Sequence, residues 1–373
     1  MDGVKKIVRF FKSYGILFVI GSIFIITILS LVTVHDIGCG GDESGIQSNN
    51  DIPDGNEEVI DEDTYNAEGV RNYSSAQNIQ SRVPILNLGN ANNCSYLILH
   101  DMHYVTPTPT YIRKNISYLK TLPIDGITVY LANANLSVKL SHKIMSNELV
   151  SYDRIYELLL PLKGLPIQQI KNNFVIVFSN KVDDFFDDWS VAIQNFKNLG
   201  KAVKAIGLAG IFFDNEAYPP DVTSAWGNYP EDVEYKDKTL EEYQDQVSLR
   251  GSQIMKALVS QYPQIEVITL HGPYISEINA PSLVFSQCQS SNELLGPLFV
   301  GFMEGMGPYS QNIDGGELYN LRTVEDFQTA YMWRKEAIAG DIVNSHIIPQ
   351  SLKPLWSQKS NIAFGVYNKI YQG

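Results

Sequence analysis

Short apolar runs alternate with longer amphipathic stretches from about residue 83 to the end of the chain. The short runs predict strands, because each has four to seven residues and turn-forming residues flank it. They cover seven segments: 96–102, 126–132, 174–178, 210–213, 266–270, 311–314 and 362–367. The longer stretches predict helices over 111–120, 148–162, 188–206, 239–262, 294–306 and 324–339. Strands that alternate with helices indicate βαβ units and a parallel sheet.

The number and order of these units predict an α/β fold of the (β/α)8 TIM-barrel type, with a short or incomplete eighth unit. Such barrels typically have about 250 residues, and the predicted barrel domain covers residues 83–373. The eighth unit is absent, supplied by residues 83–93, or lost at the C-terminal end. No Gly-rich phosphate-binding motif follows the first predicted strand, which argues against a dinucleotide-binding fold.

The first 38 residues predict a transmembrane anchor or signal segment. An uncharged, mostly apolar run from Ile16 to Val34 follows a basic stretch, and its 19 residues are near the length that crosses a bilayer. Basic residues before this run and acidic residues after it place the domain on the extracytoplasmic side, at the cell surface or in the periplasm. Cys39, in HDIGCGGDES, resembles the lipidated cysteine of bacterial lipoproteins, although Asp36 stands where a Leu-like residue is expected.

The net charge of −13 is unevenly distributed along the chain. Residues 1–35 carry +3 and residues 36–70 carry −11, which leaves −5 for the remainder. The acidic, polar composition of residues 39–82 predicts a disordered linker. No basic patch is dense enough to predict a nucleic-acid partner.

Several stretches resemble a family of largely uncharacterised secreted bacterial proteins that are regarded as glycoside-hydrolase-like TIM barrels. They are PIDGITVYL (123–131), the block from DDFFDDW to FFDNEAY (183–218), Tyr-Pro (262–263), LLGPLFVGFMEGM (294–306) and DGGELY (314–319). The chain departs from the family at Asn215, where the family has Pro between two acids, and at its short C-terminal end. The resemblance implies the barrel fold and, less directly, action on carbohydrates.

Acids, amides and aromatic residues follow the predicted strands, at the edge where the active-site residues of TIM barrels lie. Asp214 and Glu216 are two residues apart, so strand alternation predicts that both lie on one face. The predicted catalytic residues are Glu216, Glu317 and Asp214. The predicted substrate-binding residues are Asp101, Asn133, Asn180, Tyr218, Trp226, His271, Asp314 and Tyr319.

Hydrolysis of a glycosidic bond needs two carboxyl groups on opposite sides of that bond. Glu216 is assigned as nucleophile or base and Glu317 as acid, and the two roles are interchangeable. The pair also resembles the arrangement in α-galactosidase-like retaining enzymes. A second enzymatic interpretation is a chitinase-type hydrolase, in which Glu216 is the acid and Asp214 orients the acetamido group of the substrate.

The predicted function is therefore that of an extracytoplasmic, membrane-tethered glycoside hydrolase. Its predicted partners are a polysaccharide or oligosaccharide substrate and, through the N-terminal segment, the membrane. No cofactor and no metal are predicted, and the chain has neither a Gly-x-Ser-x-Gly nucleophile motif nor a HExxH zinc motif. The main alternative is a carbohydrate-binding barrel without catalysis.

Overall fold

A computed structural model describes most of the chain from residue 94 onwards, together with one earlier segment. The described residues are 29–36, 94–102, 106–165, 171–179, 182, 184–215, 229–230, 233–273, 294–316, 321, 326, 330–331, 334 and 348–367.

Eight strands lie in the described residues, and the seven predicted strands are all among them, as β2 to β8. The strands are β1 (Leu29–Asp36), β2 (Cys94–Met102), β3 (Gly126–Tyr130), β4 (Phe174–Phe178), β5 (Gly210–Asp214), β6 (Glu266–Thr269), β7 (Gln311–Asp314) and β8 (Ser360–Tyr367). Apolar and β-branched residues dominate these runs, and such residues favour the pleated, buried surface of a sheet.

The predicted TIM barrel is wrong. Strands β2 to β8 form a seven-stranded, all-parallel sheet in sequential order, curled into a half-barrel with alternating helices. This is a Rossmann-like α/β fold in its alternation of strands and helices. Pairing of β1 with β2 and β8 closes the order of strands. The place of an eighth parallel strand is taken by β1, which pairs antiparallel with β2 on one side and with β8 on the other. An antiparallel strand needs no crossover helix, and the described residues contain no eighth parallel strand.

The predicted transmembrane segment is also not what the structure shows. Residues 29–34, the last six of the predicted span, belong to β1 and pair with β2 and β8. Among the helices in the described residues, none is long and apolar enough to span a bilayer. A continuous apolar run is typical of a buried strand as well as of a membrane helix, and here part of it forms the strand. Residues 16–28 and Cys39 lie outside the described residues.

The first five helices in the described residues lie close to their predicted positions, and the sixth was not predicted. They are α1 (Pro109–Leu119), α2 (Tyr152–Leu159), α3 (Ser190–Ile206), α4 (Leu240–Gln261), α5 (Leu295–Gly305) and α6 (Lys353–Lys359). Short 3-10 turns follow α2 at Leu160–Leu162 and precede α6 at Gln350–Leu352. Of the helix predicted over 324–339, only scattered residues are described, Arg334 among them.

Local signals define the ends of these helices. Thr239 and Glu242 form a reciprocal capping box at the start of α4: the Glu242 N–H donates to Thr239 Oγ1, and the Thr239 N–H donates to Glu242 Oε2. Gly207 ends α3 in the left-handed region at φ +86°, and its N–H donates to the carbonyl oxygens of Val203 and Lys204. Both ends follow the usual chemistry of helix caps.

The buried apolar residues form two clusters that define the two faces of the sheet. The smaller cluster contains strand and strand-end residues only, and it fills the inside of the curl: Ile98, Tyr130, Ala132, Phe174, Ile176, Phe212, Ile268, Leu270, Ile313 and Ala363. The larger cluster combines the alternate strand positions with helix residues. Because successive side chains of a strand point to opposite faces, membership of these clusters identifies the inner and the outer face at each position.

Candidate active site at the carboxyl edge of the sheet

Asp214 ends β5 on the inner face of the sheet. It follows Phe212, a member of the inner cluster, by two residues, so both side chains point into the curl. The residue is buried, with 2% of its surface exposed. In the register of the sheet it pairs with Phe178 of β4, and its carbonyl accepts a hydrogen bond from Ser179 N–H at 2.8 Å. Asp214 therefore lies on the inner face at the carboxyl end of β5.

Aromatic rings surround this edge of the inner face. The rings of His142 and Phe178 are stacked, with centroids 4.2 Å apart. Tyr130 meets both rings edge to face, at 5.8 Å from His142 and 6.0 Å from Phe178. We call Tyr130, His142 and Phe178 the aromatic rim. Burial raises the pKa of Tyr130 to about 12, so its phenol stays protonated at neutral pH.

A further ring stack lies between β2 and β5. The ring of His100 stacks on the ring of Phe212, with centroids 4.4 Å apart. Phe212 precedes Asp214 by two residues in β5. The inner face at the carboxyl ends of β2 to β5 therefore places one buried acid near five aromatic or imidazole rings. Tyr130, Phe212 and Asp214 are buried in this arrangement, whereas His100, His142 and Phe178 are partly exposed.

Asp314 lies on the opposite face of the sheet. It follows the inner residue Ile313 by one position, and its side chain forms an ion pair with Arg334 in which both groups are fully buried. Arg334 Nη2 is 2.5 Å from Asp314 Oδ1, and Nε donates to Oδ2 at 3.0 Å. Burial raises the pKa of Asp314, while the charge of Arg334 opposes that shift. This arrangement favours a structural role over the predicted substrate contact.

The Arg334 guanidinium also links β7 to β8, and Asp314 links the pair to the segment after β6. Nη2 donates to the Asp314 carbonyl at 2.8 Å, and Nη1 donates to the Ala363 carbonyl of β8 at 2.9 Å. From the β6 side, Gly272 N–H donates to Asp314 Oδ1 at 3.1 Å. Gly316 has φ +57°, and a Cβ there would lie 1.9 Å from Arg334 Nη1, so only glycine fits. We call this group of contacts the Arg334 clamp.

Asn215, where the resembling family has Pro, links β5 to the end of β6. Its Nδ2 donates to the His271 carbonyl and its Oδ1 accepts from the His271 N–H, both at 2.9 Å. The last backbone bond of this ladder runs from Leu270 N–H to the Phe213 carbonyl. The amide side chain of Asn215 thus extends the β5–β6 ladder by one residue. Proline has no side-chain amide and makes neither bond.

The predicted substrate-binding residue Asn133 holds a turn in the structure. Its Oδ1 accepts from Val138 N–H at 3.0 Å, and its Nδ2 donates to Ser137 Oγ at 2.9 Å. These bonds close the loop after β3 around the bridge between Ala132 and Lys139. The polar groups of Asn133 are therefore engaged within its own loop.

Several predicted site residues fall outside the part that the structure describes. For Asp101 only the backbone is described, within β2. The others are Asn180, Glu216, Tyr218, Trp226, Glu317 and Tyr319. Their assigned roles stay predictions. The structure does not describe the distance between the carboxyl groups of Glu216 and Glu317, because both residues lie outside the described part. Within the described residues, no group of three or more His, Cys, Asp or Glu side chains is placed to hold a metal.

Two sets of residues in this region were missed by reasoning from the sequence. The aromatic rim includes Tyr130, which lies within the predicted strand 126–132, and strand alternation alone could have placed it near the site. His142 belongs to the loop after β3, and no motif distinguishes it from other loop histidines. Arg334 is separated from Asp314 by 20 residues, and no local pattern connects the two.

Comparisons with known proteins do not assign this chain to a class. No known protein family matches it, and no curated protein matches it. Among solved structures, it aligns with a thiolation-reductase di-domain from an archaeal non-ribosomal peptide synthetase, at 10% sequence identity and a TM-score of 0.20. The alignment covers 56% of this chain and 39% of that chain, so this chain spans about two fifths of that structure. A likeness this weak carries no argument about fold or chemistry.

Proposed function

We propose that this protein is a glycoside hydrolase that cleaves a polysaccharide at the carboxyl edge of its parallel sheet. The observation that supports the proposal best is the buried carboxylate of Asp214 on the inner face, beside the aromatic rim. Carboxyl groups provide the acid, base or nucleophile of this reaction. Aromatic rings provide flat apolar surfaces that suit the C–H face of a sugar ring.

In the proposed reaction, one carboxylic acid donates its proton to the glycosidic oxygen as the bond from that oxygen to the anomeric carbon breaks. A carboxylate attacks the anomeric carbon directly, or it removes a proton from the water that attacks it. Glu216 and Glu317 are proposed for these two roles, in either order. Asp214 is proposed to stabilise the positive charge that develops on the sugar ring. Asp314 is not given a part, because Arg334 already binds its carboxylate on the outer face.

A carbohydrate-binding protein without catalysis is the second candidate. One observation favours it: of the two aspartates that end strands β5 and β7, only Asp214 lies on the inner face. A single acid beside aromatic rings can orient a sugar without cleaving it.

The test is a panel of polysaccharides with detection of new reducing ends. We expect wild-type protein to release reducing ends from at least one polysaccharide and Asp214→Asn to lose at least 100-fold in rate, about 2.7 kcal/mol. Asp237→Asn is the matched control, because Asp237 is an exposed carboxylate in the loop before α4. Equal rates for wild type and Asp214→Asn would contradict the proposal. Binding without product from any polysaccharide would favour the second candidate.

A further inference from the structure

A row of three lysines lies along the exposed side of α3. Lys197, Lys201 and Lys204 are all exposed, and they are four and three residues apart. With a rise of 1.5 Å per residue, their Cα atoms are separated by about 6 Å and about 4.5 Å along the helix axis. The whole of α3, from Ser190 to Ile206, contains no acidic residue. We call these three residues the lysine row.

The neighbouring helix α2 supports one end of this row. Lys201 Nζ lies 4.5 Å from the ring centroid of Tyr152, a cation–π contact between α3 and α2. The rings of Tyr152 and Tyr156 are stacked, with centroids 5.6 Å apart. Beyond them, Lys163 Nζ donates to the Tyr156 hydroxyl at 2.7 Å. The tyrosine pair therefore connects the lysine row to a fourth cation, Lys163.

The positive charge of this surface is only partly balanced. The exposed acids of α2 are Asp153 and Glu157. The α2 residue Arg154 shares the carboxylate of Glu148, at 3.7 Å, with Lys143, at 2.6 Å, so Glu148 is already paired with two cations. Within the part of the chain that the structure describes, no residue of the lysine row forms an ion pair. Four lysines face two acids here, in a chain whose net charge is −13.

The chemistry of this surface excludes several kinds of partner. A membrane-binding helix presents large apolar residues beside its lysines, whereas the fully exposed positions of α3 are Ser190, Gln194, Lys197, Lys201, Lys204 and Ala205. Lysine is depleted in the cores of protein–protein interfaces. Single-stranded nucleic acid needs open aromatic faces on which bases stack, but the Tyr152 ring contacts Tyr156 and Lys201.

We propose that the lysine row binds an acidic polysaccharide, outside the catalytic site. The regular spacing of its charges, roughly 5 Å on average, suits an extended polymer that carries one carboxylate on each sugar. Exposed lysines act as point charges and need no fixed geometry in the ligand. The proposal does not depend on the catalytic activity proposed above, since binding and cleavage are measured separately.

The test is affinity electrophoresis of the full chain in native gels that contain polygalacturonate, with dextran gels as the neutral reference. We expect polygalacturonate to retard the wild-type protein and dextran to leave it unaffected, with retardation falling as salt is added. The triple variant Lys197→Gln, Lys201→Gln, Lys204→Gln is expected to bind at least tenfold more weakly. The control triple variant, Lys114→Gln, Lys139→Gln, Lys171→Gln, carries the same change in net charge at exposed lysines elsewhere and should bind like the wild type.

Three outcomes would overturn the proposal. The first is equal retardation of wild type and of the lysine-row variant, and the second is equal weakening by the control variant. The third is tighter binding to single-stranded DNA or to vesicles of anionic phospholipid than to polygalacturonate, which would identify a different partner. Circular dichroism of both triple variants checks that α3 remains helical.

Discussion

Replacing Arg334 by methionine is expected to destabilise the protein by about 4 kcal/mol, because it leaves the Asp314 carboxylate buried without its cation. Both side chains are fully buried, so solvent cannot compensate for the lost charge. The same change removes the hydrogen bonds that Arg334 donates to the carbonyl oxygens of Asp314 and Ala363. For a domain of this size, a loss of about 4 kcal/mol lowers Tm by roughly 8 to 16 °C.

The double variant with Asp314→Leu separates the ion pair from simple loss of packing. Removing both charges leaves no unpaired ion, so its cost is expected to fall short of the sum of the single costs by about 2 kcal/mol. Urea unfolding followed by circular dichroism gives the three free energies. The matched control is Arg154→Met, whose exposed partner Glu148 lies 3.7 Å away, and it should cost less than about 1 kcal/mol. Additive costs for the two buried changes would refute the reasoning.

Three further predictions follow from local contacts. Asn215→Leu removes the two partly buried hydrogen bonds between the Asn215 side chain and the His271 backbone and should cost about 1 to 3 kcal/mol; an unchanged urea midpoint would contradict this. Thr239→Ala removes the cap of α4 and should cost about 1 kcal/mol, measured in the same way, and no loss would argue against the capping box. Deleting residues 1–38 removes β1 and exposes the edges of β2 and β8, so the product should aggregate in size-exclusion chromatography; a monodisperse, stable product would show that β1 is dispensable.

The position of β1 in the chain also bears on the predicted lipidation of Cys39. Cleavage of the chain before Cys39, as in a lipoprotein, would remove Leu29–Asp36 and leave both edges of the parallel sheet unpaired. The intact mass of protein purified from its producing cells distinguishes the two cases. We expect the mass to include residues 29–36. A chain that starts at Cys39 would contradict the role of β1 in the folded protein.

The alternation of strands and helices was predictable because it depends on local periodicity. Short apolar runs with turn residues on both sides give strands in any context, and the positions of β2 to β8 follow from them. The identity of β1 was not predictable in the same way. Its residues belong to a longer apolar run. Uninterrupted apolar sequence is typical of a strand that pairs on both edges, and it is equally typical of a membrane helix.

The candidate site shows the same division between local and long-range information. The face of the sheet on which Asp214 lies, relative to its neighbours in β5, follows from strand alternation. Asp314 was predicted to contact the substrate, whereas its side chain lies on the outer face. The strand Gln311–Asp314 has one apolar residue, Ile313, so its sequence shows no alternation that identifies the inner face. Its partner Arg334 is 20 residues away, and only the folded chain brings the two together. The stacked rings of His142 and Phe178 are likewise a product of tertiary contact.

The most direct test of the proposed function is hydrolysis in water enriched in ¹⁸O, using a polysaccharide from the panel that yields new reducing ends. A glycoside hydrolase places one labelled oxygen at the anomeric carbon of each new reducing end, because water supplies that oxygen. We predict one label per cleavage with wild-type protein and at least 100-fold less labelled product with Asp214→Asn. Unlabelled products with an unsaturated end would identify a lyase, and labelled product at the wild-type rate from Asp214→Asn would remove Asp214 from the site.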